Sequence, residues 1–431
     1  MKITLLNIQE SGDNKEYNGG FGTTWQIGNS ILSRVLGKIR SKEEYFPLVS
    51  FGYLAAILKQ NKHEVKFLEN KIPTDSDIII IQPSLIRHKK EIRFLKKIRE
   101  ATSSKIGLVG PFVSVKPELF RKYSDFMIIG EPEQAISKIK NRKIPRGIIK
   151  SRSTKNLDEL PYPDWSIFPL KRFSYGLILP KKPFTFILSS RGCGYDCSYC
   201  PYKVLKGYRL RDPMKVVDEI EHMQEKYGIK SFMFRDPMFS LLPQKTRIMA
   251  EEIIKRGIKI KWGCETRLDK LDEEFLDLLY NSGLRAIKVG VESANEDVLM
   301  NAGRKYIEKE HQEKVIRYCD KKGIKVIAFY ILGLPEDTKE TIKVTMKYAK
   351  KLNTDFVNFT LCTPIPGTRF FEEIKDDLIT NNWEEFDNFH MVFKHKNLTK
   401  RELLKLQEKA ITSYYFRPKY ILKHLWRSIT R

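Results

Sequence analysis

The chain has 431 residues, of which 41% are hydrophobic and 11% are aromatic. This composition excludes an intrinsically disordered protein and predicts a globular one with two or three domains. The formal net charge of +25 favours anionic partners such as nucleic acid, anionic lipid or a phosphorylated substrate, and it also fits an ordinary lysine-rich surface. The longest apolar runs, such as Ile78–Ile81, are far too short to span a bilayer.

Residues 1–142 alternate strand and helix signals. Short apolar runs, each typical of a buried strand, lie at 2–8, 64–68, 77–81, 105–109 and 125–130. With helical segments between them, these runs predict a parallel sheet covered on both faces, whose ligands bind beyond the carboxyl ends of the strands. The first run is a strand rather than a signal peptide, so we expect a cytoplasmic protein with reduced or metal-bound cysteines.

The rest of the chain divides into three parts. Residues 143–183 are rich in Pro and Lys and predict a surface linker. From 184 to 370 a second series begins, with strands expected at 184–188, 230–234, 258–262, 286–290, 325–331 and 355–361. Six strand and helix units predict a partial (β/α)6 barrel with its functional residues after the strands. Residues 371–431 predict a helical C-terminal extension.

Three of the six cysteines, Cys193, Cys197 and Cys200, follow the first barrel strand in a C-x3-C-x2-C spacing. Thiolates are soft ligands that select zinc, Cu(I) or an iron–sulfur cluster. A closed structural zinc site requires four ligands, and no fourth Cys or His is nearby in the sequence. A cubane cluster held by three cysteines would leave one iron open for a small molecule. Three buried thiols, or a zinc-held scaffold that binds acidic partners, are the alternatives.

With the aromatic Tyr199 and the strand before it, this loop resembles that of the radical S-adenosylmethionine (SAM) enzymes. The resemblance implies a 4Fe-4S cluster held by the three cysteines and SAM bound at the open iron. It also implies cleavage of SAM to a 5'-deoxyadenosyl radical by one electron from an external donor of the flavodoxin or ferredoxin type.

Further motifs of that family follow the later barrel strands. By resemblance, Asp236 would lie near the SAM amino group, and a strand-end Asx turn is the alternative. Arg267 would pair with the SAM carboxylate, for which a guanidinium is suited. Glu292, in Gly-Val-Glu-Ser, would bind the ribose hydroxyls, with Ser293 as a second candidate. Segments 331–338 and 362–368 resemble the adenine-facing turn and the barrel-closing turn of the family.

The first domain resembles the cobalamin-binding Rossmann-like domain that precedes many radical SAM domains. Ser84, Gly110 and Gly130 lie in the loops that would face the corrin, while ordinary turns requiring positive φ also explain the two glycines. The family's D-x-H-x-x-G motif is absent, and the only histidines before residue 143 are His63 and His88. We therefore expect cobalamin without a histidine lower ligand.

The resemblance implies an enzyme that modifies an unactivated carbon, most often by cobalamin-dependent methyl transfer, on a small, hydrophobic or lipid-like substrate. Oxidative cyclisation or rearrangement without methyl transfer is an alternative. An RNA methylthiotransferase would need a second cysteine triplet in its N-terminal domain. No cysteine precedes Cys193, so nucleic acid is not the expected substrate.

The C-terminal segment contains an amphipathic pattern, with an apolar face formed by Ile421, Leu422, Leu425 and Ile429. The opposite face is basic. A helix packed on the barrel explains this pattern, and a peripheral contact with an anionic membrane is the alternative.

Overall fold

The computed structural model of the chain describes residues 1–10, 12–24, 28, 30–140, 143–204 and 207–429. Within these ranges two parallel sheets of six strands each form the framework. The first has the strand order β5-β1-β6-β7-β8-β9 and the second β11-β14-β15-β16-β17-β18, with the bounds given below. The expected α/β class, with a Rossmann-like domain before a partial barrel, is confirmed.

The strands, in chain order, are β1 Lys2–Asn7, β2 Asp13–Asn14, β3 Thr23–Thr24, β4 Glu44–Tyr45, β5 Glu64–Glu69, β6 Ile78–Ile81, β7 Lys105–Leu108, β8 Phe126–Ile129, β9 Gly147–Lys150, β10 Ser174–Tyr175, β11 Phe184–Ile187, β12 Ser190–Arg191, β13 Arg209–Leu210, β14 Ser231–Phe234, β15 Lys261–Thr266, β16 Leu284–Glu292, β17 Lys325–Leu332 and β18 Phe356–Leu361.

The helices, in chain order, are α1 Ile31–Glu43, α2 Val49–Gln60, α3 His88–Ala101, α4 Pro111–Val115, α5 Glu133–Ile136, α6 Pro213–Tyr227, α7 Pro243–Lys255, α8 Glu273–Asn281, α9 Glu296–Asn301, α10 Lys309–Lys322, α11 Lys339–Leu352, α12 Arg369–Ile374, α13 Lys400–Tyr415 and α14 Pro418–Ile429. Among the described residues, none of these helices combines the length and the apolar character that crossing a membrane requires.

The first sheet is buried on both faces. Successive side chains of a strand point to opposite sides, so they pack in two different cores. In β6, Ile78 and Ile80 pack in the same core as helix α2. Ile79 and Ile81 pack in the opposite core, with residues of α3. An uninterrupted run of isoleucines is therefore what this central position requires.

The structure differs from the expected surface linker at 143–183. Strand β9 pairs in parallel with β8 and extends the first sheet to Lys150. Farther on, the side chains of Trp165 and Tyr175 are completely buried. Proline and lysine content predicted an exposed connection, but the large aromatic side chains between them pack into the core.

The barrel strands lie in sequential order and the sheet has two edges, β11 and β18, so the barrel is open. The third strand starts at Lys261 rather than at residue 258, since Gly257 adopts φ +66° and the chain needs several residues to leave helix α7. Helix α13 of the C-terminal extension packs against β18 and α11. The hydroxyl of Tyr414 donates to the Thr354 carbonyl oxygen at 2.6 Å.

Candidate functional site

The loop that carries the three cysteines is fastened at its base by a short hairpin. Strands β12 and β13 pair antiparallel and bring the start of the loop beside its end. Gly192 has φ +80°, and a Cβ atom there would lie 2.1 Å from the carbonyl oxygen of Gly207. This position therefore requires glycine, because any side chain would strain the backbone and strike the opposite segment.

The far side of the loop is docked on the barrel. The amide of Ser198 donates to the Ala302 carbonyl oxygen at 3.0 Å, and the amide of Phe370 donates to the Ser198 carbonyl oxygen at 3.1 Å. Arg369 reaches the Asp196 carboxylate at 2.8 Å. With both ends held, the loop presents its cysteines in a defined direction.

Cys193, Cys197 and Cys200 all line one cavity of about 320 Å³ at the mouth of the barrel. Burial raises the pKa of Cys200 to about 12, with a smaller contribution from the neighbouring thiols. Among the described residues, no three or more His, Cys, Asp or Glu side chains are grouped closely enough to hold one metal ion. A cubane cluster takes each thiolate at a different iron, so three cysteines along one cavity wall fit it.

Asp236 differs from its expected place near SAM. Its Oδ1 accepts the amides of Ser189 and Ser190, both at 2.9 Å, and its Oδ2 accepts the Ser189 hydroxyl. The side chain is completely buried and does not line the cavity. Burial raises the pKa of Asp236 to about 7, and the hydrogen bonds from Ser189 and Ser190 oppose the rise. Asp236 therefore positions the chain that enters the cysteine loop, because both its oxygens already accept hydrogen bonds there.

Arg267 lies in the wall of the same cavity. Its Nε donates to Asp269 at 2.9 Å and its Nη2 to the Lys305 carbonyl oxygen at 3.0 Å. The guanidinium also stacks over the ring of Tyr195, 4.5 Å from the centroid. Its Nη1 is buried without a partner in the described part of the chain. A buried, fixed donor of this kind fits a carboxylate ligand.

Glu292 also lines the cavity, at the end of β16. It has φ +62°, which is rare for a residue with a side chain, and it follows a bulge against β17. Its Oε1 lies 3.6 Å from Arg304. Burial raises the pKa of Glu292, while the charges of Arg304 and Arg267 oppose that rise. This carboxylate is held in the cavity wall by an unusual backbone.

Ser293 turns away from the cavity and differs from its expected role. Its hydroxyl lies 3.2 Å from the Thr345 hydroxyl and also accepts the Asn295 amide at 3.2 Å. These bonds fix the start of α9 against α11. The motif placed two candidates next to each other, but adjacent residues at a strand end point in opposite directions.

Several charged residues of the cavity were missed by sequence reasoning. Arg304 donates to the Gly290 carbonyl oxygen beside Glu292. Lys288 on β16 and Glu265 on β15 are paired in register, with Nζ and Oε1 3.4 Å apart. Charged residues inside otherwise apolar strands could have signalled them, because a parallel barrel strand is normally apolar.

A segment near the N-terminus, residues 17–24, crosses between the two domains, and we name it the strap. Its Tyr17, Asn18, Thr23 and Thr24 line the first cavity. Its glycines at 19 and 20 line a second cavity. A Cβ atom on Gly20 would lie 2.8 Å from Pro111, so the strap runs tightly against the first domain.

The second cavity lies between the domains, beyond the carboxyl ends of β7 and β8. Gly110 and Gly130 line it, with φ values of +104° and +92°. Glu133 Oε2 and Ser190 Oγ are buried there without partners among the described residues. Because the rim of a corrin carries amide groups, an open carboxylate oxygen and hydroxyl beside two bare backbone turns fit cobalamin. The cavity meets the first one at Tyr202 and Pro237, which line both.

Ser84 differs from its expected position. It is fully buried, and its amide and hydroxyl both donate to Glu91, at 2.8 and 3.2 Å. It is not among the residues that line the second cavity. The two histidines are engaged elsewhere. His63 Nε2 lies 2.8 Å from the Ile139 carbonyl oxygen, and His88 Nδ1 lies 3.0 Å from that of Leu85.

Two ion pairs connect the second cavity to the cysteine loop. Arg191 contacts Glu133 at 2.7 Å, and Arg209 forms a bidentate pair with Glu131. The arginines belong to the hairpin of the loop, and the acids follow β8 of the first sheet. Buried bidentate pairs fix relative orientation well.

Comparison with known sequences relates the barrel and its cysteine loop to a known superfamily. Residues 187–349 match the radical SAM superfamily. An uncharacterized methyltransferase of Pyrococcus horikoshii is 27% identical over 92% of this chain and 92% of its own length. The anaerobic magnesium-protoporphyrin IX monomethyl ester cyclase of Cereibacter sphaeroides is 32% identical over 62% of this chain, which spans 44% of that protein.

Among solved structures, the chain is similar to the radical SAM methyltransferase TsrM of Kitasatospora setae, determined with cobalamin and a [4Fe-4S] cluster bound. The TM-score is 0.62 at 18% identity, over 87% of this chain and 78% of that one. This likeness concerns the fold of both domains. Together with the sequence match, it confirms the resemblance first indicated by the cysteine loop.

Proposed function

We propose that this chain, in which residues 187–349 match the radical SAM superfamily, transfers a methyl group to an unactivated carbon of a small, hydrophobic substrate in a cobalamin-dependent reaction. One observation carries the proposal: the three cysteines, Arg267 and Glu292 line one cavity, and this cavity meets a second one between the domains. Substrate placed at that junction would face both cofactors.

When bound, the cluster would supply the electron that cleaves SAM to the 5'-deoxyadenosyl radical, and cobalamin would supply the methyl group. Cys193, Cys197 and Cys200 would hold the cluster. Arg267 would donate its open Nη1–H to the SAM carboxylate, and Glu292 would accept hydrogen bonds from the ribose hydroxyls. With these roles the chain would be an enzyme, and this proposal takes the place of the zinc-held scaffold that the three cysteines alone also allowed.

In the second cavity, Gly110 and Gly130 would let the backbone approach the corrin closely, and Glu133 would accept from an amide of its rim. Cobalamin would bind without a histidine ligand. Tyr202 and Pro237, at the junction, would limit passage between the two cavities and keep water from the reacting carbon.

The experiment is anaerobic reconstitution with iron, sulfide and cobalamin, followed by incubation with methyl-deuterated SAM, reductant and a lipid extract. We expect 5'-deoxyadenosine, retained cobalamin and a product that carries the deuterated methyl group. A reconstituted enzyme that forms 5'-deoxyadenosine but retains no cobalamin and labels no product would refute methyl transfer.

Oxidative cyclisation is a second candidate, since the ester cyclase is 32% identical over 62% of this chain. It predicts a product that has lost hydrogen and carries no deuterated methyl group. The same mass spectra therefore distinguish the two reactions. An RNA methylthiotransferase remains disfavoured by the absence of any cysteine before Cys193.

Glu292→Gln is expected to weaken SAM binding by roughly ten- to a hundredfold, because each hydrogen bond to a charged group contributes about 1.5–3 kcal/mol. Gln keeps the shape and removes the charge. Equilibrium binding of SAM to the reconstituted protein measures the effect. The matched control is Glu296→Gln, an exposed carboxylate four residues away on α9. Equal SAM affinity in both variants would contradict the assignment of Glu292 to the SAM site.

A peripheral membrane contact through α14 is also proposed. Ile421 and Leu422 are 43% and 64% exposed on this helix, near Phe416 at 49%. The side chains of Leu425, Arg427 and Ile429 lie outside the described residues. Sedimentation with anionic vesicles would test this contact. If the Ile421→Ser, Leu422→Ser double variant sediments with the vesicles to the same extent as the wild-type protein, α14 does not bind the membrane.

A further inference from the structure

The strap contributes open polar groups to the first cavity. Asn18 Nδ2 and Thr24 Oγ1 are buried and have no hydrogen-bond partner within the described ranges. Both residues line the cavity. Leaving a buried polar group unsatisfied costs about 1–3 kcal/mol, so such groups are normally paired with protein, water or a bound ligand. Arg267 Nη1 and the Tyr199 hydroxyl are likewise open, and they lie beside the cysteine loop.

The conformation of Asn18 is itself unusual. It has φ +57°, in a segment whose glycines 19, 20 and 22 also have positive φ. A Cβ atom on Gly19 would lie 3.2 Å from Pro201, the residue after Cys200. The strap is therefore pressed against the cysteine loop on one side and the first domain on the other. A left-handed residue held in this way can direct its amide into the cavity.

The charged residues near the strap have partners within the protein. Lys288 Nζ donates to the Tyr17 hydroxyl and lies 3.4 Å from Glu265 Oε1. The same Oε1 accepts from Arg235 Nη1 at 2.8 Å. Because each of these charges already has a partner within the protein, the open groups that the strap itself contributes are a neutral amide and a neutral hydroxyl.

The wall above them is apolar. Phe329 and Ile331 of β17 point into the cavity, and Phe389 of the C-terminal extension lines it as well. An apolar wall with few fixed polar groups is typical of a site for a small organic molecule, in which the polar groups set orientation.

We infer that Asn18 and Thr24 recognise an uncharged oxygen group of the substrate, a carbonyl or a hydroxyl, while the apolar body of the molecule packs on the aromatic wall. Asn18 Nδ2 donates to that oxygen, and the Thr24 hydroxyl completes its hydrogen bonding. This inference rests on the proposed function, and it restricts the substrate to neutral, apolar-bodied molecules. The strap is thereby a specificity element for the barrel chemistry.

The first experiment separates an extract of the source cells into neutral, anionic and cationic fractions by ion exchange. Each fraction is incubated with the reconstituted enzyme and methyl-deuterated SAM. The labelled product is expected in the neutral fraction. Label found only in charged fractions overturns the inference and leaves the proposed methyl transfer intact. Failure of the proposed function is recognised separately, by a reconstituted enzyme that labels no product in any fraction.

The second experiment uses variants with the neutral substrate so obtained. Asn18→Asp replaces the donor with an acceptor of the same size, and Thr24→Val removes the hydroxyl while keeping the shape. Each is expected to raise KM about tenfold with a smaller change in kcat. Asn281→Asp, at an exposed position on α8, is the matched control. If both strap variants keep KM within about twofold of the control, the assignment is overturned.

Discussion

Replacing Cys197 with alanine is expected to remove the cluster and lower SAM cleavage by more than about a hundredfold. Cys197 is the most buried of the three cysteines, and losing a ligand is at least as severe as losing an outer-shell partner, which costs about 10–100-fold. Two remaining thiolates cannot hold three irons of a cubane. Iron and acid-labile sulfide after anaerobic reconstitution, with the rate of 5'-deoxyadenosine formation, measure both losses.

The control for this variant is Cys319→Ala. Cys319 is equally inaccessible but lies on α10, outside the cysteine loop. It should retain wild-type iron and activity and lose only a small amount of packing energy. A Cys197→Ala protein with as much iron as Cys319→Ala would contradict the proposed cluster site.

The second large effect is expected for Arg211→Met, which should lower the free energy of unfolding by about 3–5 kcal/mol. Arg211 Nη1 lies 2.5 Å from Glu219 Oε2, and the side chains are 4% and 0% exposed. The same guanidinium donates to the Leu188 carbonyl oxygen at 2.9 Å, at the end of the first barrel strand. Methionine fills the space but leaves a carboxylate buried without its partner. Urea unfolding measures the loss.

The loss should depend on pH. Burial already raises the pKa of Glu219, and without Arg211 that pKa rises further. A carboxyl whose folded pKa exceeds its unfolded pKa binds more protons in the folded state, so stability falls as pH rises above the unfolded value. The deficit of the variant should therefore be larger at neutral pH than near pH 5.

The matched control is Arg317→Met. Arg317 pairs with Glu313 at the surface, where its side chain is 73% exposed. Surface pairs contribute about 0–1 kcal/mol, so this variant should be close to wild type at both pH values. Equal stability of Arg211→Met and Arg317→Met would refute a structural role for the buried pair.

Much of the fold could be predicted because it depends on local patterns. The isoleucine run of β6 predicts a central strand whatever surrounds it, and the six barrel strands repeat with their helices between them. The cysteine loop is also local, since its three cysteines lie within eight residues. These features require only the chemistry of each residue type and the period of the backbone.

The roles of the individual site residues could not be predicted from a motif alone. Asp236, Ser293 and Ser84 each lie in a predicted loop, yet their oxygens are already engaged by Ser189, Thr345 and Glu91 respectively. A sequence gives the position of a side chain along a strand, but it does not give the groups with which that side chain forms hydrogen bonds.

The sequence by itself determined the α/β architecture, the spacing of the three cysteines and the positions of Arg267 and Glu292 at the ends of their strands. Only the tertiary structure decided which distant segments complete the cavity. Tyr17 meets Lys288 across 271 residues, and the strap and Phe389 reach the barrel mouth from opposite ends of the chain. The physical reason is that burial, pairing of charges and open hydrogen-bond donors are properties of contacts. Contacts between distant segments produce no periodic pattern in the sequence from which they could be predicted.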